Sequence, residues 1–136
     1  MKRIAIVNQF GTVPGESGYS RTHSICNALI EGGFDVDLIT SSFNHWSKSF
    51  KDMDLYKPDS WKYNTVVLDT SAYSKNVSYK RLKSHRNFAK ALTEYFKGQN
   101  YDLVMTIIPS LEAGIASAEY CKANSVPFLI DLNDLW

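Results

Sequence analysis

Three glycines, a cation and a histidine lie where a short apolar run is predicted to lead into a helix. The glycines follow the pattern Gly11-x-x-x-Gly15-x-x-Gly18, and Arg21 and His23 come directly after them, in the first helical turn. Backbone N–H groups of such a loop can receive a phosphate or a carboxylate, and a purely structural turn is the alternative. The spacing matches neither the dinucleotide fingerprint nor the P-loop, so no nucleotide cofactor is expected.

Arg21 and His23 each have a functional and a structural interpretation. A cation at a helix N-terminus opposes the helix dipole, so Arg21 is unfavourable there unless an anion or a carboxylate offsets it. The carboxylate of Glu16 is one such candidate. The imidazole of His23 titrates in the range of a proton carrier, while a solvated or partly buried side chain is the equal alternative.

Two carboxylates form the second candidate group. Asp131 and Asp134 follow the last predicted strand, with Asn133 between them. Carboxylates at the carboxyl end of a parallel strand point into the ligand crevice of an α/β sheet. Helix capping or loop solvation by short acidic residues is the alternative.

A basic segment is the third candidate. Residues 75–97 carry seven lysines and arginines against Glu94, whereas the whole chain has a formal charge of +1. With its apolar helical face, the segment is predicted either to contact anionic lipid headgroups or to be an ordinary solvated face. Nucleic acid is disfavoured because its aromatic residues fall on the packing side and offer no platform for bases. The predicted membrane contacts are Lys80, Arg81, Lys83, Arg86 and Lys90.

Alternating strands and helices must position these groups. Continuous apolar runs predict strands at 4–7, 34–40, 65–68, 103–108 and 126–130, with helices after the first, third and fourth. The pattern predicts the α/β class: a Rossmann-like, doubly wound parallel sheet of order 3-2-1-4-5 with helices on both faces. Ligands are then expected at the carboxyl ends of strands one and four. Residues 41–64, rich in aromatics and lysines, are predicted to be an insertion with partial structure.

Composition sets the remaining limits. The 136 residues are 44% hydrophobic, which suits one domain with its own core. Cys26 and Cys121 suit a reducing compartment and cannot form a zinc site, so no metal is predicted. The apolar run near the N-terminus is too short for an export segment, and no stretch is long enough to span a bilayer. A cytoplasmic protein with at most peripheral membrane contact is expected.

Several segments together carry a resemblance to a known family. They are RTH at 21–23, GGFDVDLITSSFNHW at 32–46, YSKN at 73–76 with Arg81, and DLNDLW at 131–136. In this order they resemble the N-terminal domain of a GT-B glycosyltransferase of the retaining family 4, closest to bacterial enzymes of O-antigen or capsular polysaccharide synthesis. Two departures are Asn133, where relatives often have arginine, and the sequence IPS at 108–110, where many have a histidine that contacts the transferred sugar.

The resemblance implies that residues 1–136 form the acceptor-binding half of a two-domain enzyme. The absence of a helix after the fifth predicted strand fits a chain that continues into a C-terminal domain, which would bind the nucleotide-sugar donor. Gly15, Gly18, Arg21 and His23 would line the cleft between the domains, and Asp131 or Asp134 would hold acceptor hydroxyls. The acceptor would be a glycan or a polyprenyl-linked sugar, with the basic helix resting on the cytoplasmic face of the membrane.

Two other functional classes stay open from the sequence. A receiver-type signalling domain shares the strand order and would use Asp69 at the end of the third strand. However, Asn8 and Gln9 stand where an acidic pair would hold magnesium. A small-molecule-binding module that works alone is the other alternative.

Overall fold

The computed structural model describes residues 1–13, 16, 21–55 and 62–133. Helices alternate with strands along the described chain. The strands of the main sheet are β1 (Arg3–Val7), β2 (Asp35–Ser41), β5 (Asn64–Leu68), β6 (Leu103–Ile108) and β7 (Phe128–Leu132). The short strands β3 (Phe43–Asn44) and β4 (Ser49–Phe50) lie between β2 and β5 and are followed by a single 3₁₀ turn, Met53–Leu55. The helices are α1 (Arg21–Glu31), α2 (Tyr79–Phe96) and α3 (Leu111–Asn124).

The five strands of the main sheet run parallel in the order β5-β2-β1-β6-β7. Numbered by the predicted strands, this order is 3-2-1-4-5, so the sequence prediction is confirmed. β1 lies at the centre, with Ile4 paired to Val36 of β2 and to Leu103 of β6. The carboxyl ends of all five strands therefore meet at one edge of the sheet, here called the carboxyl edge.

Successive residues of β1 point to opposite faces of the sheet, and each face is covered by helices. Ile4 and Ile6 pack in one core cluster with Cys26 of α1. Ala5 and Val7 pack in the other cluster with Phe88 of α2, together with residues of α3. The predicted arrangement of helices on both faces is thus confirmed.

Local signals set the helix boundaries. Gly33, with a φ of 85°, ends the turn after α1 in a conformation that favours glycine. Ser78 caps α2, because its extended backbone lets its Oγ accept a hydrogen bond from Arg81 N at 3.2 Å. At the C-terminal end of α3, Ser125 adopts a left-handed conformation and Val126 N donates a hydrogen bond to Cys121 O.

The last strand begins two residues later than the sequence predicts. Val126 still closes α3 through its backbone N–H, and Pro127 has no N–H to donate to a neighbouring strand. The strand ends at Leu132, two residues later than predicted. Asp131 therefore lies inside it, paired with Ile107 of β6. The expectation that Asp131 follows the strand is therefore wrong, although the residue is still at the carboxyl edge.

The insertion 41–64 has the partial structure that its composition predicts. β3 and β4 form an antiparallel hairpin in which Phe43 pairs with Phe50. Asn44 fixes the turn, because its Oδ1 accepts hydrogen bonds from the backbone N–H groups of Trp46 and Ser47. The hairpin lies directly after β2 and so borders the carboxyl edge.

β7 exposes apolar side chains at the border of the sheet. Leu129, Ile130 and Leu132 are each more than half exposed. Cys26 and Cys121 are buried free thiols, and burial raises the pKa of Cys26 to about 12, so it is a packing residue at neutral pH.

Candidate functional site

An open pocket of about 500 Å³ lies at the carboxyl edge, between the N-terminal turns of α2 and α3. We call it the carboxyl-edge pocket. Its walls are mostly apolar, and a few polar groups converge on it, which is the composition of a small-molecule site. The apolar lining comes from Val77, Tyr79, Leu82, Pro109 and Leu111, and the charged or titratable lining from Arg81, His85 and Glu112.

The cap of α2 places two of these polar groups. Ser78 sets the start of the helix, and Arg81 and His85 follow four residues apart, so they share one face. Arg81 Nη1 donates to Asn76 O at 2.8 Å, and its guanidinium lies 5.7 Å from the centre of the Phe10 ring. Arg81 is thereby held over the loop that follows β1 and lines the pocket.

His85 and Glu112 form a pair across the pocket floor. Nδ1 of His85 lies 3.4 Å from Oε2 of Glu112, and the His85 side chain is 6% exposed. Burial lowers the pKa of His85, Glu112 raises it in part, and Arg81 lowers it further. The net direction is downward from 6.5, so the imidazole is neutral at pH 7.

The neutral ring of His85 has one N–H, and the adjacent carboxylate favours that proton on Nδ1. Nε2 then carries a lone pair. Within the described residues, His85 Nε2 is buried without a hydrogen-bond partner, as are Oε1 of Gln9 and Oγ of Ser110. These three residues all lie at the carboxyl edge. Leaving such a buried polar atom unsatisfied costs about 1–3 kcal/mol, so a ligand that reaches one of them can compensate that cost.

A second histidine lies beside the first. Nδ1 of His45 is 2.5 Å from the Tyr73 hydroxyl, and the ring centre of Phe10 is 4.9 Å from that of His45 and 5.5 Å from that of His85. Burial lowers the pKa of His45 to about 4, helped by the positive charges of Lys48 and Arg81. Burial also raises the pKa of Tyr73 to about 12, so the phenol keeps its proton and donates to the imidazole.

The first turn of α1 holds the residues that sequence analysis singled out. Both Nη atoms of Arg21 donate to the carboxylate of Asp131, at 2.5 and 3.1 Å, and Nη1 also donates to Asn133 Oδ1. The next residue, Thr22, accepts a hydrogen bond of 2.8 Å from Asn8 Nδ2. The carboxylate that offsets the cation at this helix N-terminus is therefore Asp131, and the predicted candidates Arg21 and Asp131 lie together.

His23 lies on the other side of that turn. Its Nε2 is 3.0 Å from Thr12 Oγ1, and its Nδ1 contacts the hydroxyl of Tyr63, whose ring stacks against the imidazole. Burial lowers the pKa of His23, while Glu16 raises it in part. His23 thus joins the loop after β1 to the residues that precede β5.

The loop after β1 is anchored through Glu16. This carboxylate accepts hydrogen bonds from Val13 N at 2.6 Å and from Asn44 Nδ2 at 2.7 Å. Lys51 lies 4.0 Å from it, with a side chain that is 1% exposed. Burial lowers the pKa of Lys51 to about 8. Gly15, Gly18 and Asp134, which the sequence also proposes as ligand contacts, lie outside the described residues.

The basic residues of α2 fall into two groups. Lys80, Lys83, Arg86 and Lys90 are exposed and share the solvent face of the helix, as a lipid-contacting or solvated face requires. Arg81 is half-buried against Phe10 and lines the pocket instead. It is thus placed with the candidate site and not with the other four cations.

Sequence analysis missed His85, His45 and Glu112 as site residues. The helical spacing of 82–96 assigns His85 to the buried stripe, where it does lie. The available signal was its chemistry, since it is a titratable residue in an otherwise apolar stripe. Its pairing with Glu112 joins two helices far apart in sequence and could not be found from spacing.

The described residues contain neither a metal-binding cluster nor a helix that could span a membrane. No group of three or more His, Cys, Asp or Glu side chains there is placed to hold a metal ion. In the same part of the chain, the helices are all too short or too polar to cross a bilayer.

Comparison with known proteins places the fold. The sequence matches no family profile and no curated protein. The C-terminal domain of a hydrogenase from Pyrococcus furiosus is similar, with a TM-score of 0.65 and 19% identity over 96% of this chain and 91% of that one. Sucrose-phosphate synthase from Thermosynechococcus elongatus gives a TM-score of 0.63 and 16% identity. A UGT transferase from Siraitia grosvenorii, solved in complex with UDP, gives 0.53 and 11%.

The match to sucrose-phosphate synthase covers 99% of this chain and 34% of the synthase. The match to the UGT transferase covers 96% of this chain and 27% of the transferase. The structure is therefore a Rossmann-like α/β domain with a fold that also occurs as one part of larger glycosyltransferases. At these identities the likeness concerns the fold, so function has to be argued from the site.

Proposed function

We propose that the chain is the acceptor-binding domain of a retaining glycosyltransferase of the family 4 type, acting in the synthesis of cell-surface polysaccharide. The observation that carries the proposal is the carboxyl-edge pocket, where His85, Glu112 and Arg81 converge within an apolar lining. An acceptor with an apolar part and a hydroxyl-bearing part, such as a polyprenyl-linked sugar, matches that lining. The same fold occurs in two larger glycosyltransferases, so it is compatible with this function.

In this proposal the nucleotide-sugar donor is a substrate bound by a second domain of the same protein. The part that this chain matches makes up 34% of one glycosyltransferase and 27% of the other. The exposed apolar residues Leu129, Ile130 and Leu132 on β7 offer a surface for further parts of the enzyme. Residues 1–136 alone would bind the acceptor without transferring a sugar.

The first turn of α1 would form the border of the cleft between the two domains. The Arg21 side chain is 39% exposed although it is paired with Asp131. We propose that Arg21 and Asp131 contact donor phosphates or acceptor hydroxyls there. His23 would keep the loop after β1 in position. Gly15, Gly18 and Asp134 are proposed to belong to the same border.

The first test of the proposal is binding of a soluble polyprenyl-linked sugar, farnesyl diphosphate-linked N-acetylglucosamine, to this chain. Leu111→Asp places a charge in the pocket lining and should abolish binding, measured by titration calorimetry. Ile115→Asp is the matched control, because Ile115 is equally exposed one turn further along α3 but outside the pocket. Equal affinity of the two variants would reject the pocket as the acceptor site.

The enzymatic part of the proposal needs the full-length protein. Incubation with a panel of nucleotide-sugars and a polyprenyl-linked acceptor should give a glycosylated product by mass spectrometry. The anomeric configuration of that product, read by NMR, should match that of the donor. A product with inverted configuration would contradict the retaining class, and absence of transfer with every donor would contradict the transferase.

We further propose that the domain rests peripherally on the cytoplasmic face of the plasma membrane. Four exposed cations of α2 lie beside the exposed apolar side chains of Val77 and Tyr79. Each cation near an anionic surface contributes about 1 kcal/mol of binding. The cations are Lys80, Lys83, Arg86 and Lys90.

Replacing these four cations with glutamine should remove co-sedimentation with anionic vesicles. Replacing Lys122, an exposed lysine on α3, should leave it unchanged. Equal binding of the native chain to neutral and anionic vesicles would contradict the electrostatic contact.

A further inference from the structure

We propose that His85, oriented by Glu112, is a hydroxyl-recognition site on the floor of the carboxyl-edge pocket, and that its ligand is an amphiphile whose hydroxyl group donates a hydrogen bond to His85 Nε2. The inference deepens the acceptor site and rests on the pocket being a ligand site. It assigns the polar contact to a residue pair that joins two helices.

Nε2 of His85 is a hydrogen-bond acceptor to which no described residue donates. His85 is 5% exposed, and its Nε2 is buried with no hydrogen-bond partner in the described part of the chain. A buried polar atom that lines a pocket without a partner is stabilised when a ligand supplies one. The ring belongs to the lining of the pocket, and Nε2 itself is closed to solvent, so a ligand hydroxyl reaches it only if the surrounding side chains shift on binding.

The second argument is the direction of the hydrogen bond. Glu112 lies 3.4 Å from Nδ1 and favours the imidazole proton on that atom. Burial of the ring and the neighbouring guanidinium of Arg81 both disfavour a second proton on it. Nε2 is then an acceptor, which selects a donor such as a sugar hydroxyl and disfavours a carbonyl or an ether oxygen at the same place.

The third argument is the surrounding lining. Val77, Leu82, Pro109 and Leu111 give the pocket an apolar wall beside its polar lining residues, which include His85 and Glu112. Ser110, whose Oγ is also buried without a partner among the described residues, lies between two residues of the lining. A ligand that covers the apolar wall and presents hydroxyl groups at its base satisfies both features, which an entirely polar sugar or a plain hydrocarbon does not.

The geometry also separates this role from packing. A histidine retained only to fill space would be replaceable by phenylalanine without any effect on ligand choice. A hydroxyl-recognition site loses discrimination between a hydroxyl donor and its methyl ether when the lone pair is removed. The choice between two matched ligands is therefore the measurement that distinguishes the two roles.

The experiment uses two probes with the same apolar tail, octyl β-D-glucoside and its per-O-methylated form, both below their micelle concentrations. The native chain should bind the glucoside about fivefold to tenfold more tightly by NMR titration, which corresponds to one hydrogen bond. In a chain with ¹⁵N-labelled histidine, His85 should show a pyridine-type signal at Nε2 that shifts on binding the glucoside only. Equal affinity for the two probes, no binding of either, or a proton on Nε2 would overturn the proposal.

Three variants complete the test. His85→Phe should bind both probes with equal affinity, and a retained preference would overturn the proposal. Glu112→Gln keeps the ring and the Nε2 atom, so it should reduce the preference and mix the tautomers even if the first variant folds poorly. Glu119→Gln, an exposed glutamate two turns further along α3, is the matched control and should behave as the native chain.

The outcome is independent of sugar transfer. If the full-length protein transfers no sugar but the probes are discriminated through His85, the proposed enzymatic function fails and the hydroxyl site stands. If transfer occurs and discrimination is absent, the enzyme stands and the site assigned to His85 is rejected.

Discussion

Buried polar groups differ between the carboxyl edge of the sheet and the opposite edge, where the strands begin, here called the amino edge. At the amino edge Asp37, 2% exposed, accepts hydrogen bonds from Arg3 Nη2 and the Tyr101 hydroxyl, each at 2.5 Å, and from Asn64 Nδ2 at 3.0 Å. At the carboxyl edge, Gln9, His85 and Ser110 each bury a polar atom that has no partner among the described residues. Asp37 at the amino edge is thus surrounded by three hydrogen-bond donors, whereas the three polar atoms at the carboxyl edge have no partner among the described residues.

A pocket at the amino edge sharpens this contrast. It has a volume of about 410 Å³ and lies between the ends of α2 and α3, with Gln99 and Tyr120 in its lining. The Tyr120 hydroxyl donates to Gln99 O at 3.0 Å and accepts from Tyr101 N at 3.2 Å. These two groups are already hydrogen-bonded within the protein, unlike Nε2 of His85, so two pockets of similar volume differ in the polar groups that they offer to a ligand.

Removal of Asp37 should have the largest effect on stability. Asp37→Ala leaves the buried hydroxyl of Tyr101 and the guanidinium of Arg3 without their shared acceptor, and should lower the free energy of unfolding by about 3 kcal/mol in urea. Asp35→Ala, an exposed position in the same strand, should stay within about 0.5 kcal/mol of the native chain. A loss as small as that of the control would break the comparison.

The buried lysine at the carboxyl edge predicts an intermediate, pH-dependent effect. Because burial lowers the pKa of Lys51 to about 8 against 10.5 when exposed, the folded state releases this proton first. The unfolded state then holds more protons between pH 8 and 10.5, so this group makes stability rise with pH in that window. Relative to Lys51→Met, the native chain should gain up to about 3 kcal/mol across it.

This effect is to be read as a difference between variants, since tyrosines and cysteines titrate in the same range. Lys122→Met, which removes an exposed lysine, is the control and should parallel the native curve. If the curve of Lys51→Met also parallels the native one, burial does not lower the pKa of Lys51 in the folded state.

The ion pair of the carboxyl edge should be worth less than the network around Asp37. Arg21 and Asp131 are bidentate, but the arginine side chain is 39% exposed, so solvent screens the attraction. A double-mutant cycle with Arg21→Met and Asp131→Asn should give a coupling energy of about 1 kcal/mol that decreases with added salt. A coupling of the size expected for Asp37 would remove the distinction between the two edges.

The smallest expected effect has the opposite sign. His85→Phe removes a buried polar atom that has no partner among the described residues and keeps a ring of similar shape, so stability should stay equal or rise by up to about 1 kcal/mol. Thermal and urea unfolding measure this change. A loss above about 2 kcal/mol would mean that the imidazole stabilises the fold, and the carboxyl edge would then resemble the amino edge.

The fold could be predicted from the sequence because its signals are local and continuous. The alternation of continuous apolar runs with helical spacing correctly predicted the five strands and their order. The glycines after α1 correctly predicted where that helix ends. The start of β7 was missed, since Val126 is apolar and yet completes α3 through its backbone. Pattern alone does not reveal which hydrogen bond an N–H makes.

The candidate site could be predicted only in part. Arg21 and Asp131 were each singled out by position, and they meet because parallel strands and the first turn of α1 share one edge. His85 and Glu112 were not, because their meeting depends on how two helices pack side by side. Periodicity reports which face of a helix is buried, but it does not report what that face meets.

The contact of α3 with the sheet has a consequence for how the pocket adapts to its occupant. A Cβ added at Gly114 would lie 3.1 Å from Cδ1 of Ile108, and Thr106 Oγ1 donates to Ser117 Oγ at 2.8 Å, so this helix is seated directly on β6. The wall that carries Glu112 is therefore rigid. A bulkier ligand would have to be accommodated by the opposite wall, where Asn76 and Val77 are exposed just before the N-cap of α2. In the proposed acceptor site, the α3 wall would therefore determine which ligands fit, and the wall at Asn76 and Val77 would accommodate differences in their size.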